Sequence, residues 1–204
     1  MAAPKNDEER ERIYRAAIEL FRTRGFGKTS YAGIAEACDT SKSMVQHYFP
    51  KKELFIERYF SQLLEELNAR ALSLADDPDD TLEVFCLMGL LHFSQLLDDE
   101  DMRALSEDIV ESRALTSGIV SAERTWAAER LPERRGTVTA ADALTVSLGG
   151  AYELIYQGGQ SGRKPSPDYV ERAAIVPFAL TMGFDRERTE ETIERCERKL
   201  GLSC

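Results

Sequence analysis

Residues 28–55 read KTSYAGIAEACDTSKSMVQHYFPKKELF, and this stretch decides the fold. Two short runs of helix-forming residues lie on either side of Asp39-Thr40, and each is opened by a hydroxyl side chain. Thr29 or Ser30 caps the first run, whose apolar face is Tyr31, Ile34, Ala35 and Cys38. Ser41 caps the second, which runs to about Tyr48. Pro50 stops it and suits the first turn of a further helix, beginning near Lys51 and continuing towards residue 74. Two short helices joined by a tight turn, with a longer helix before them, are the parts of a helix-turn-helix.

That longer helix lies just upstream. Asn6 is positioned to cap it, and Asp7, Glu8 and Glu9 suit its N-terminal dipole. Ile13, Ala16, Ala17, Leu20 and Phe21 then form one apolar stripe, and Gly25 supplies a left-handed terminator. Downstream, the acidic run Asp76–Asp80 reads as a solvated linker, because a calcium loop would need alternating ligands and a central Gly. A helix at 81–97 is apolar nearly all round, which places it at a centre of packing. Further helices are expected at about 102–114, 117–131, 138–157, 167–183 and 186–199, with Pro177 kinking the fourth of these. No strand pattern and no internal repeat is found. The expected class is all-α: a three-helix DNA-binding domain over residues 1–50, then a larger helical domain over 51–204, joined by the helix at 51–74.

Composition limits what such a chain does. Of 204 residues, 43% are hydrophobic and 30% charged, enough for both a core and a wet surface. No uncharged apolar run reaches membrane-spanning length and no secretory h-region opens the chain, so a cytoplasmic address without membrane contact is expected. Cys38, Cys86, Cys196 and Cys204 lie far apart, with only His47 and His92 as further soft ligands, so no metal and no cofactor is expected. No H-E-x-x-H, P-loop or strand-linked G-x-G-x-x-G appears, and an enzyme is not expected. The net charge of −10 is uneven: residues 1–60 carry +2 and residues 61–204 carry −12. A basic head on an acidic body suits one surface that meets an anion and another that avoids it.

Within residues 28–55 the chemistry fits duplex DNA. Thr29 and Ser30 stand at a helix N-terminus, whose free N–H groups favour phosphate, and Lys51 and Lys52 add cationic reach. Lys42, Ser43, Met44, Gln46 and His47 are the candidate base readers: Gln46 for adenine, Lys42 for guanine, Met44 for a thymine methyl. Val45 and Phe49 are core. His47 serves either the groove or the helix end, and Lys51 and Lys52 are either phosphate contacts or solvated lysines.

The residues Gly25-Phe26, Thr29-Ser30, Ile34-Ala35, Ser41-Lys42, His47-Tyr48-Phe49 and Lys52-Glu53-Leu54-Phe55 resemble the TetR family of transcriptional regulators, over about residues 10–60. The resemblance implies that Thr29, Lys52 and the aromatic end of the recognition helix, Tyr48, clamp the DNA backbone. Two departures stand out. Ser43-Met44-Val45-Gln46 occupies the place of the family's common Gly-Thr-Leu-Tyr, which implies a different operator. Asp39 replaces the usual turn Gly, and Asp tolerates the left-handed conformation better than most residues.

The resemblance further implies a repressor that binds double-stranded operator DNA as a homodimer and is released by a small-molecule effector. Its last two large helices would pair with a second subunit, and Gly149-Gly150-Ala151 and Ala173-Ala174 fit such close packing. Candidate effector-pocket residues are Phe85, Met88, His92, Phe93, Trp126, Tyr152 and Tyr156, each also readable as ordinary core. An alternative keeps DNA binding but sets the switch by a partner protein or by cysteine oxidation.

Overall fold

The computed structural model describes residues 5–98, 108–131, 138–163 and 165–202. Among these no strand occurs, and the helices run α1 Lys5–Arg24, α2 Tyr31–Ala37, α3 Lys42–Tyr48, α4 Glu53–Leu74, α5 Thr81–Asp98, α6 Arg113–Arg130, α7 Ala140–Ser161, α8 Pro167–Thr181 and α9 Arg186–Leu200. The all-α class is as expected. The chain divides into two compact units, one drawn from Met1–Tyr59 and Asp99–Ile119, the other from Phe60–Asp98 and Val120–Cys204.

The smaller unit closes on aromatic rings. Phe49 and Phe55 stack with centroids 3.9 Å apart, and Phe21 meets Phe55 edge-on at 5.8 Å. Ile13, Ile34 and Val45 complete a fully buried core, so α1, α2 and α3 each contribute one face. Gly25 ends α1 at φ +87°, as its lack of a Cβ allows. Asn6 lies one residue inside α1 rather than capping it; its Oδ1 accepts a hydrogen bond from the Tyr48 hydroxyl at 3.1 Å.

The larger unit surrounds α5. Of its side chains, Leu82, Cys86, Leu87, Leu90 and Phe93 have almost no exposure, and α8 and α9 both pack against it. A Cβ on Gly89 would come within 2.9 Å of Ile175 Cγ1, so glycine sets the close approach of α5 to α8. The acidic run before α5 is tied down more firmly than a solvated linker. The buried Glu83 carboxylate accepts from the backbone N–H of Asp76 and of Asp77, both at 3.2 Å, and pairs with Lys199 Nζ at 3.0 Å. Burial, the largest single effect, pushes that carboxyl up, but the Asp76, Lys199 and Asp77 contacts together outweigh it and hold the carboxyl below its usual range.

Two boundaries differ from expectation. Residues 102–107 lie outside the described residues, and the break between the expected helices falls at Ser112 rather than near residue 116. Its hydroxyl accepts from Leu115 N–H, so a cap restarts the helix there and α6 runs on unbroken. Helix α7 passes through Gly158-Gly159 to Ser161 before Gly162, at φ +66°, terminates it.

Candidate nucleic-acid interface and ligand pocket

The helix-turn-helix is assembled by local hydrogen bonds. Ser30 Oγ accepts from Gly33 N–H at 3.1 Å and Ser41 Oγ from Met44 N–H at 3.2 Å, so both helices begin at side-chain caps. Asp39 takes the left-handed conformation at φ 48°, and Thr40 N–H returns to Ala35 O at 3.0 Å. Thr40 Oγ1 donates to Glu9 Oε1 at 3.2 Å, fastening the turn to α1. Tyr31 reaches across from α2 and donates its hydroxyl proton to Phe49 O at 2.9 Å.

With Val45 and Phe49 anchored in the core, α3 turns its other side chains outward. Ser41, Lys42, Ser43, Gln46 and His47 are exposed, and Met44 and Tyr48 are half-buried. Lys28, Ser30 and Lys51 are exposed as well. The segment thus offers amide, hydroxyl, imidazole and ammonium groups on a helix of seven residues held by its own core.

Thr29 and Lys52 are placed differently from the rest. Thr29 is buried, and its hydroxyl is committed to Gly25 O at 2.8 Å and Leu20 O at 3.3 Å. Lys52 Nζ donates to Phe26 O at 2.6 Å and Thr29 O at 2.9 Å, and sits 4.1 Å from the Phe26 ring centroid. Partial burial lowers its pKa, with Glu53 and then Asp108 acting the other way. Both side chains fasten the α1–α2 loop instead of facing outward as the phosphate clamp expected from sequence. The same loop is held by Asp108, whose carboxylate accepts from the N–H of Phe26 and, at 3.2 Å, of Gly27.

In the larger unit, five of the seven predicted pocket residues converge. Phe85, Met88, His92, Phe93 and Trp126 line a cavity of about 40 Å³, together with Leu64, Leu67, Leu144, Leu148 and Ile175. Tyr152 stands behind the wall, and Tyr156 does not line it. The sequence reading missed Glu123, which also lines the cavity and is 2% exposed. Its signal was present: Leu115, Ile119, Glu123 and Ala127 recur every four residues, so a carboxyl sits on an apolar stripe.

Glu123 ends a buried polar row. Its Oε1 accepts from Tyr152 Oη at 2.8 Å, and that hydroxyl lies 3.1 Å from His92 Nε2. Burial pushes the Glu123 carboxyl up to about 8, partly opposed by the Tyr152 hydrogen bond, so it is protonated at neutral pH. The same burial pushes His92 down to about 4, leaving a neutral imidazole. Burial also raises the Cys196 thiol to about 11 and the Cys86 thiol further still, so neither forms a reactive thiolate. Cys38 is likewise buried and raised, and Cys204 lies outside the described residues.

An all-helical chain with this capped, outward-facing α3 defines a helix-turn-helix DNA-binding protein. Residues 13–59 match the family described as bacterial regulatory proteins, tetR family. Its fold is similar to that of RolR solved without ligand (TM-score 0.57, 18% identity, covering 91% of this chain and 96% of that one). It is similar also to a TetR-family regulator from Streptomyces coelicolor (0.53, 16%, 98% and 91%) and to the fatty acid degradation regulator FadR from Bacillus halodurans (0.51, 16%, 91% and 98%). At these identities the likeness concerns the fold. No curated protein sequence matches the chain. Among the described residues, no helix is long and apolar enough to cross a membrane.

Proposed function

We propose that the protein is a homodimeric repressor that reads a pseudo-palindromic operator with α3 and is released when a small molecule fills the cavity of the larger unit. The observation that carries this reading is the division of labour within α3. Val45 and the following Phe49 are sunk in the core, while Lys42, Ser43, Gln46 and His47 are exposed for base edges. Ser30, Ser41, Tyr48 and Lys51 flank them as backbone contacts, and Thr29 and Lys52 hold the loop that presents them.

Pairing through α7 and α8 is supported by what those helices leave uncovered. Val146 is 74% and Tyr169 57% exposed, and a Cβ on Gly149 or Gly150 would meet nothing within 4 Å. Large apolar groups beside bare backbone suit a second copy. A two-fold pair then sets its recognition helices about 34–36 Å apart, one turn of DNA. A ligand acts on such a repressor by binding one arrangement of the pair better than the other. Release by oxidation has less support, since the described thiols are buried and held protonated.

The test is selection of binding sites from random duplexes, followed by gel-shift titration at two salt concentrations. The expected site is two-fold symmetric, with affinity falling steeply as salt rises. Gln46→Ala changes the preferred base at one position in each half-site, by about 1–3 kcal/mol. Asymmetric sites, or binding indifferent to salt, refute the reading.

A further inference from the structure

The walls of the cavity are hydrocarbon and aromatic ring, yet two polar atoms on it have no partner. Glu123 Oε2 and Trp126 Nε1 are both buried without a hydrogen bond. Their residues are 2% and 6% exposed, and both line the cavity. Three positions apart on α6, they are neighbours on one helix face. The other carboxyl oxygen of Glu123 is already taken by Tyr152. The row from His92 through Tyr152 to Glu123 therefore ends in an oxygen with nothing to bind, beside an indole N–H that can only donate. Buried polar groups are rarely left this way, and two together are a receptor for a complementary group.

We propose that this cavity takes a small, uncharged molecule of at most one ring bearing a hydroxyl group, whose oxygen accepts both from Trp126 Nε1 and from the proton that the neutral Glu123 carboxyl carries on Oε2. The inference rests on the cavity's being the effector site and names the chemistry of its ligand. A hydroxyl oxygen has two lone pairs, so one atom satisfies both donors. A hydrocarbon would satisfy neither. An ammonium ion would satisfy the carboxyl and set its own N–H groups against the indole donor. At about 40 Å³ the cavity has room for roughly three waters at ~10–15 Å³ each, well below the ~150 Å³ that takes up benzene, so a ring enters only as the wall yields. Met88, with three rotatable bonds, gives that wall some adaptability.

Trp126 is the chain's one tryptophan, so its emission reports on the cavity directly. The intact protein, without DNA, is titrated with phenol, toluene and benzylamine at about pH 6 and about pH 7.5, exciting at the red edge of the indole band. Calorimetry gives the same affinities for variants. Phenol is expected to bind about tenfold or more tightly than toluene, equally at both pH values, since an uncharged ligand displaces no proton. Glu123→Leu brings phenol down to the level of toluene. Glu123→Gln retains the preference, because a carboxamide still accepts and donates.

Toluene binding as well as phenol would overturn the proposal, and this comparison needs no variant. So would benzylamine binding best, with an affinity rising about tenfold per pH unit as its charge displaces the Glu123 proton below about pH 8. No saturable change with any probe would overturn it too, leaving a cavity for water alone. Because DNA is absent, each of these failures leaves operator binding untouched. Phenol binding without release from the operator would refute only the ligand-release reading.

Discussion

The surroundings of α3 and the cavity of the larger unit treat buried polar groups in opposite ways. Around α3, such groups are committed to backbone: Thr29 Oγ1 to two carbonyls, Lys52 Nζ to two more, and the Asp108 carboxylate to two N–H groups. In the larger unit, Glu123 and Trp126 each keep a buried polar atom without a partner, on the wall of a cavity. A satisfied network fixes one geometry, which a helix reading base edges requires. An unsatisfied pair favours whatever completes it, which suits a sensor. On the proposed function, the small unit is the fixed reader and the cavity of the large one is the site a ligand completes.

The largest expected effect tests the first half of that contrast. Lys52→Met keeps the side chain's length but strips two carbonyls of their donor, and costs about 2–3 kcal/mol of stability in urea denaturation. In gel shifts against the logarithm of salt concentration, its slope stays that of the parent. Lys51→Ala, at an exposed neighbour, does the reverse: stability within about 0.5 kcal/mol, and a slope reduced by about one per protomer. A reduced slope for Lys52→Met would return that lysine to the phosphate backbone.

Much of the small unit was legible in the sequence because its signals are local. Ser30, Ser41, Asp39 and Gly25 act within four residues of themselves, and all four take the places their chemistry dictated. The fates of Thr29 and Lys52 were not legible, since the carbonyls they bind are fixed only when α4 packs beside the loop. In the larger unit, five pocket residues were visible as apolar or amphipathic side chains on helical stripes. Glu123 was overlooked because a charged residue at an apolar position reads as surface until burial is known. Tyr156 was included on composition alone, which carries no information on which way a helix turns.

A smaller effect, about 2 kcal/mol, tests the second half. The folded Glu123 carboxyl holds its proton up to about pH 8, whereas an unfolded one releases it near 4.5, so stability falls with rising pH between those values. His92 stays neutral down to about 4 when folded but titrates near 6.5 when unfolded, so its contribution rises with pH between those values. The two slopes cancel from about pH 4.5 to 6.5 and leave Glu123's decline from about 6.5 to 8, worth about 2 kcal/mol at 1.36 kcal/mol per pKa unit. Glu123→Gln has no carboxyl to ionise, and its denaturation midpoint changes less than the parent's over that window. Parallel curves for the two proteins would show that the cavity does not hold the proton.

The smallest effect sets one chemical change in both units. Ser41 caps α3 by accepting from Met44 N–H at 3.2 Å, and Ser166 caps α8 by accepting from Tyr169 N–H at 3.4 Å. Removing either hydroxyl leaves an N–H without its side-chain partner, and each alanine variant loses about 1 kcal/mol of stability. The consequences for DNA differ. Helix α3 has seven residues and α8 has fifteen, so one lost cap loosens most of the first helix and only the opening turn of the second. Ser41→Ala therefore weakens operator affinity by up to about fivefold, the equivalent of about 1 kcal/mol, while Ser166→Ala leaves it unchanged. Equal losses of DNA affinity from the two variants would mean that α3 is not a reader whose pre-formed geometry matters.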